Sequence, residues 1–189
     1  SYVSTVVAAI MLNPSFDNRD IIICLMIVIW ATRLGSFLFR RIKKDGQDKR
    51  FIVMKTKFTW FLMTWTIGGL WVLVTMAAGL AALTSNITVE LGLVGFAGIA
   101  IWIFGFVIEV MADYQKTQFK KNPDNKDLFI TTGLWSWSQH PNYFGEITLW
   151  FGLALVALPV LSGWQLATMV SPFFVYLLLT RVSGIPLLD

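Results

Sequence analysis

Apolar residues run through this chain in long stretches, without the regular polar interruptions of a helix that has one face in water. No Asp, Glu, Lys or Arg falls within residues 58–89, 91–108 or 147–180. A helix crosses the hydrocarbon core of a bilayer in ~20 mostly apolar residues, so the pattern predicts membrane-spanning helices. The first is partial and ends near Leu12, and the second runs from about Ile21 to Phe39. A third covers about Phe58 to Leu83 with Gly68-Gly69 inside it, and a fourth about Leu91 to Met111. Glycines at 92, 95, 98 and 105 would let neighbours approach that fourth helix closely. The last apolar run divides at Leu161-Ser162-Gly163-Trp164 into a fifth and a sixth. The expected fold is therefore all-α: a multi-pass integral membrane bundle of about six segments, forming one membrane domain over residues 1–189. Because the chain opens already apolar, its first segment reads as part of a longer helix.

Composition agrees with this class. The 189 residues are 56% hydrophobic and 14% charged, against ~25% charged for a soluble domain. The expected partners are membrane lipids and a hydrophobic small molecule drawn from the bilayer, not nucleic acid. Cys24 has no partner in the chain for a disulfide, and one His without paired Cys is a poor metal set. Charge then orients the helices. Residues 40–57 hold eight Lys or Arg against two Asp, and residues 113–142 hold four Lys. The loops 13–20, 84–90 and 162–165 share only Arg19. Both basic loops should therefore face the cytoplasm, in a bacterial inner membrane or, in a eukaryote, the endoplasmic reticulum. The Asn86-Ile87-Thr88 sequon falls in a short loop on the other side.

Polar residues inside such a chain ask for a reason, since ionisable groups at membrane depth are costly and usually face a protein interior. Arg33 lies well inside the second span, and an inward Arg reaching an anion explains it better than snorkelling. Glu109 and Asp113 are four apart and share a helix face. Their simple reading is an interfacial helix end, and their sharper one a ligand contact, with Lys120 or Lys121 beside a phosphate. Arg40, Arg41 and Arg50 in the basic loop serve topology at least, and in the sharper reading grip a phosphorylated ligand. The densest polar stretch is Gly133 to Glu146, GLWSWSQHPNYFGE. Pro141 suits the first turn of a helix, which puts Asn142 and Glu146 on one face of it. His140 is a donor, a proton carrier or a cap. Trp135 and Trp137 fit an interfacial aromatic belt, or stacking on a flat ring.

The stretch Gly133–Glu146 resembles the signature of the steroid 5-alpha-reductase C-terminal superfamily, and most of all its bacterial branch. WATRLGSFLFRR…GQDKRF, from Trp30 to Phe51, is similar to that branch's second signature, and Asp113-Tyr114 also fits. The resemblance implies an oxidoreductase of the 3-oxo-5-alpha-steroid 4-dehydrogenase kind, with NADPH entering from the cytoplasmic side. The same resemblance implies hydride delivery to a polarised C=C bond of a lipid- or steroid-like substrate. Carried over, Asn142 and Glu146 lie near the nicotinamide, Asp113 near the adenosine half and Lys120 at a phosphate. Arg40 and Arg41 fall in the phosphate loop, and Arg181 is a late-helix cofactor contact. Tyr143 and His140 more readily hold the cofactor than act as the acid. Gln139 stands where an Arg commonly precedes the His, Glu109 replaces an amide, and Trp30 lies near the place of a substrate-binding tyrosine. By the same resemblance, an earlier helix with a carbonyl-activating glutamate should precede Ser1 and a basic tail should follow Asp189.

A rival reading comes from isoprenylcysteine carboxyl and phospholipid methyltransferases, which carry a related His-Pro-x-Tyr-x-Gly signature. Their S-adenosylmethionine is a cation without phosphate. A basic loop suits NADPH better.

Overall fold

The apolar runs do form helices. The computed structural model describes residues 2–13, 16–45, 58–125 and 128–182. Helix α1 spans Tyr2–Leu12, α2 Asn18–Asp45, α3 Phe58–Thr75, α4 Ala77–Leu83, α5 Leu93–Phe119, α6 Pro141–Ala157 and α7 Ser171–Leu177. Short 3₁₀ turns lie at Pro123–Asn125, Gly133–Ser136 and Leu158–Val160. Among the described residues there is no strand. Five stretches are long and apolar enough to cross a membrane: Asn18–Arg40, Phe58–Thr75, Leu93–Phe119, Pro141–Val160 and Gly163–Arg181. With the shorter apolar α1, this is the all-α multi-pass bundle that the sequence pattern predicts.

Local chemistry explains the helix ends. Asp17 accepts hydrogen bonds from the Arg19 and Asp20 backbone N–H groups at 2.8 and 3.0 Å. Asp20 in turn accepts from the Asp17 N–H at 3.0 Å, a reciprocal cap that starts α2. Pro141 occupies the first turn of α6, as expected. Hydroxyls inside apolar helices donate to the carbonyl four residues back, as Thr64 does to Trp60 and Thr148 to Phe144. They therefore present no unmet donor to lipid.

Two segments differ from the simple pattern. The expected third span is broken at Met76, a fully buried residue where α3 gives way to α4. Hydrogen bonds from Met76 N to Val72 O and from Leu80 N to Met76 O carry the chain through the bend. The last span begins as an eight-residue 3₁₀ helix, Gly163–Val170, continues as α7 and ends in a π-helical turn, Leu178–Val182. Runs of 3₁₀ geometry have poorer hydrogen-bond geometry and are commonly short, and π turns are rare. Apolar character alone does not encode that departure.

Helices α5 and α6 form the tightest pair. A Cβ on Gly105 would fall 2.6 Å from the Gly145 carbonyl oxygen, and one on Gly98 2.7 Å from the Gly152 carbonyl oxygen. Gly98 and Gly105 thus do what their spacing predicts, letting the backbones meet. Gly92 faces open space, and Gly95 packs on Leu91 and the Arg19 guanidinium. Against this pair α2 lays Ile23, Ile27 and Trp30, in a core shared with Leu149, Trp150 and Leu153.

Candidate functional site

The polar residues gather where α2, α5 and α6 meet, near the end of the bundle that carries the C-terminal end of α2 and the start of α6. Arg33 donates from one terminal nitrogen to Glu109 Oε1 at 2.5 Å and from the other to Asp113 Oδ2 at 2.6 Å. The second nitrogen also reaches the Glu109 carbonyl at 3.3 Å, and the guanidinium lies over the Phe37 ring. Arg33 does reach an anion, and the anion is the chain's own pair of acids. Asn142 donates through Nδ2 to Asp113 Oδ1 at 3.4 Å, which joins α6 to the network. The α6 carboxylate Glu146, one turn further along, lies within the electrostatic reach of Arg33, Glu109 and Asp113. Two carboxylates therefore hold one guanidinium.

Two acceptor atoms in this cluster, Glu109 Oε2 and Asn142 Oδ1, have no hydrogen-bond partner, and neither do two indole donors of the adjoining core, Trp30 Nε1 and Trp150 Nε1. Glu109 is only 3% exposed, and a buried acceptor without a donor is costly. The cluster thus leaves polar atoms of α5 and α6 open to a further hydrogen-bonding group. Tyr2 extends it from α1: its hydroxyl lies against Thr75 and within reach of the field of Glu146. Its ring meets Trp30 edge-on at 5.0 Å, and Trp30 meets Trp150 edge-on at 4.9 Å. Trp30 is buried in this aromatic trio. Sequence reasoning missed Tyr2, because a lone Tyr at the head of an apolar run carries no signal of a site.

His140 and Tyr143 stand on another side of α6. Their rings stack at 5.0 Å, and the His140 carbonyl accepts from the N–H groups of Tyr143 and Phe144. His140 makes no side-chain cap on α6. Both residues line a cavity of about 360 Å³ with Ser138, Gln139, Phe144, Ile147 and Thr180. Below it Ile147, Thr148 and Phe151 of α6 and Pro172, Phe173 and Tyr176 of α7 line a second, apolar one of about 460 Å³. Of Asp113, Asn142, Glu146 and Arg181, the first two meet through a hydrogen bond, and Glu146 lies one turn beyond Asn142 on α6. Arg181 is exposed on the π-helical turn, next to Thr180 of the His140 cavity.

The expected phosphate contacts are peripheral. Arg40 and Lys120 are exposed, the latter as the C-cap of α5. Arg50 lies outside the described residues, and so does the side chain of Arg41. Trp135 departs from the belt reading. It is buried, its indole N–H donates to the Ala112 carbonyl at 3.0 Å, and the Lys116 ammonium sits over its ring at 4.8 Å. Gln115 accepts from the Leu134 N–H at 3.0 Å beside Gly133, whose φ of 64° suits glycine. These contacts fasten the approach to α6 onto α5. Trp137 remains 86% exposed, as a belt residue would be.

Comparison with known proteins finds relatives of two kinds. The chain is 30% identical over 70 residues to the 3-oxo-5-alpha-steroid 4-dehydrogenase 1 of Bos taurus, covering 37% of this chain and 27% of that protein. It is 32% identical over 87 residues to the Rattus norvegicus enzyme of that name, covering 46% and 31%. It is also 39% identical over 71 residues to "Probable O-methyltransferase ustE" of Ustilaginoidea virens, covering 37% and 25%. The aligned stretches thus span between a quarter and a third of the length of these relatives. No solved structure matches the chain. A family model covers residues 1–189 from end to end, and the chain belongs to that family, described as "Protein of unknown function (DUF1295)".

Proposed function

We propose that this protein is a membrane-embedded reductase that uses NADPH to reduce a polarised C=C bond in a lipid- or steroid-like substrate. The carrying observation is the pair of unpartnered acceptors, Glu109 Oε2 and Asn142 Oδ1, in a cluster tied together by Arg33 and Asp113. Similarity to two steroid 4-dehydrogenases supports the same reading.

The residues fit a nicotinamide nucleotide. Its carboxamide N–H₂ supplies the donors that the two orphaned oxygens lack. Arg40, Lys120 and Arg181 stand exposed at the same end of the bundle and suit phosphates. Arg33 has a different role from the one its sequence position suggests. With both terminal nitrogens committed to Glu109 and Asp113, it orients the acids and does not bind phosphate. When bound, the nucleotide supplies hydride to the alkene carbon β to a carbonyl. Asn142 and Glu109 would hold the ring, beside the buried core of Trp30 and Trp150. The basic end would then face the cytoplasm, and the substrate would enter from the bilayer.

The ustE similarity favours a second reading, a methyltransferase using S-adenosylmethionine. Titration of the purified full chain with NADPH, NADH and S-adenosylmethionine decides between them. The reductase reading expects NADPH to bind tightest and S-adenosylmethionine not at all. The reverse order overturns it.

A further inference from the structure

Helix α6 has a second side that the acid cluster does not use. Asn142, which meets Asp113 of α5, shares one side of the helix with Glu146. Phe144, Thr148 and Phe151 lie on the opposite side by helical geometry. That side and the last span bound the two cavities, which meet at Ile147. Both walls belong to stretches long and apolar enough to cross a membrane, Pro141–Val160 and Gly163–Arg181. The cavities therefore form one groove facing the bilayer, and each part has the size of a ligand pocket, ~300–1,000 Å³.

The groove changes character with depth. Its lower part, about 460 Å³, is apolar but for Thr148 and Tyr176, and the Thr148 hydroxyl is already spent on the Phe144 carbonyl at 2.7 Å. Phe151 and Phe173 are 45% and 70% exposed there, which leaves it open sideways to lipid. The upper part, about 360 Å³, lies at the head of α6 among Ser138, Gln139 and His140. The Ser138 hydroxyl accepts from the His140 backbone N–H at 3.2 Å and keeps its own proton to donate. Thr180 adds to this wall from the last span, and the exposed Arg181 follows it on the π-helical turn. No Asp or Glu lies among the described residues that line either part.

We infer that this groove holds one anionic phospholipid of the bilayer, with its phosphate at Arg181 and Ser138 and one acyl chain along Ile147, Phe151 and Phe173. Donors and a cation stand at the membrane-surface end and hydrocarbon lies below, the order of head and tail in a leaflet. Arginine suits phosphate through paired N–H groups, and a cation at this depth favours an anionic head over a zwitterionic one. A helix of a second copy would fill the lower part and leave the polar upper end without a partner. The lipid would tie the head of α6 to the π-helical turn, across the gap that side chains leave between them. This site lies on the other side of α6 from the acid cluster, and it stands whether or not that cluster binds a nucleotide.

The test is native mass spectrometry of the full chain, released from nanodiscs of phosphatidylglycerol and phosphatidylcholine with matched acyl chains in equal amounts. The expected result is one retained lipid per chain, with phosphatidylglycerol favoured roughly fivefold, the scale of one arginine at a charged membrane surface. Arg181→Gln should bring the two lipids to parity, and Arg40→Gln should leave the preference as it is. Thr148→Trp, which fills the lower part, should lose both lipids. Equal retention in the unaltered protein would overturn the inference, and so would an equal loss of preference in Arg181→Gln and Arg40→Gln. A lipid-free dimer would assign the groove to a second copy and overturn it too. Displacement of the lipid by saturating NADPH would give Arg181 to the nucleotide and end the lipid assignment. Should Thr148→Trp fail to fold, the preference of the unaltered protein and its loss in Arg181→Gln decide.

Discussion

Helix α2 carries two arginines inside the bundle, about four helical turns apart, and they are used in opposite ways. Arg19, 2% exposed, donates to three backbone carbonyls: Val156 at 2.6 Å, Val89 at 3.1 Å and Glu90 at 3.0 Å. It closes the C-terminal turn of α6 and the entry to α5, where carbonyls would otherwise lack donors. The unpartnered side-chain atom there is a donor, its own Nε. Arg33 holds two carboxylates and leaves behind acceptors without donors. One arginine completes its surroundings, and the other gathers a group that remains incomplete. An arginine inside an apolar bundle therefore does not by itself identify a site. What the neighbours still lack does.

The strongest way to break this comparison is to remove Arg19. Arg19→Met orphans three carbonyls at once and should cost about 3–5 kcal/mol of stability. It should appear as a large fall in the thermal unfolding midpoint in detergent, with nucleotide affinity unchanged in the protein that stays folded. Loss of affinity in parallel would make both arginines part of one site. Arg33→Gln should cost somewhat less, about 2–4 kcal/mol, because it leaves two acids facing each other without a counter-ion. Here nucleotide affinity should fall as well, measured on the same samples. Adding Glu109→Gln should recover part of the stability and none of the binding. If Arg33→Gln lowers stability alone, Arg33 is a clasp like Arg19.

Much of this contrast is legible in the sequence at one end only. Arg33, Glu109, Asp113, Asn142 and Glu146 are polar exceptions in apolar helices. Spacings of four put Glu109 with Asp113, and Asn142 with Glu146, on common faces by helical geometry alone. Arg19 is not legible in this way. It sits in a loop-like stretch with Asp17 and Asp20, and backbone carbonyls leave no signature in a sequence. The partition of roles around Arg33 is equally hidden: an inward arginine beside acids reads as a cofactor contact until both of its nitrogens are seen to be taken. Glycine spacing announces the α5–α6 contact, yet of the four glycines singled out only Gly98 and Gly105 make it. The bend at Met76 and the irregular last span come from packing, where tertiary context overrides apolar propensity. Tyr2 joins the cluster through three-dimensional proximity to Glu146 and Thr75, which no local motif encodes.

The α5–α6 zipper offers a subtler test, because it runs past both ends of the comparison. A Cβ on Gly145 would meet the Glu109 backbone nitrogen at 2.6 Å, and one on Gly152 the Trp102 backbone nitrogen at 2.5 Å. Gly145→Ala and Gly152→Ala should therefore destabilise to a similar degree, about 1–3 kcal/mol each. Only the first shifts Glu109, so only the first should weaken nucleotide binding. Equal effects on binding would mean that the cluster senses helix separation along the whole pair.

The smallest effect concerns the basic end, where charge is exposed and screened. Replacing Arg40 and Arg41 together by Gln should leave the thermal midpoint nearly unchanged, since Arg40 is exposed and its pairing with the rest of the bundle is not what holds α2 in place. If these arginines grip the 2′-phosphate that distinguishes NADPH from NADH, the double variant should lose roughly tenfold in NADPH affinity and little in NADH affinity. That is the scale of one charge-assisted contact. The loss should shrink as salt rises, because part of the attraction between exposed charges is screened within ~10 Å at 0.1 M. Equal losses for both nucleotides would assign Arg40 and Arg41 to holding the loop on its side of the membrane. A loss confined to NADPH would instead divide the labour along α2: Arg19 for the fold, Arg33 for the arrangement of the acids, and the arginines at its end for the phosphate.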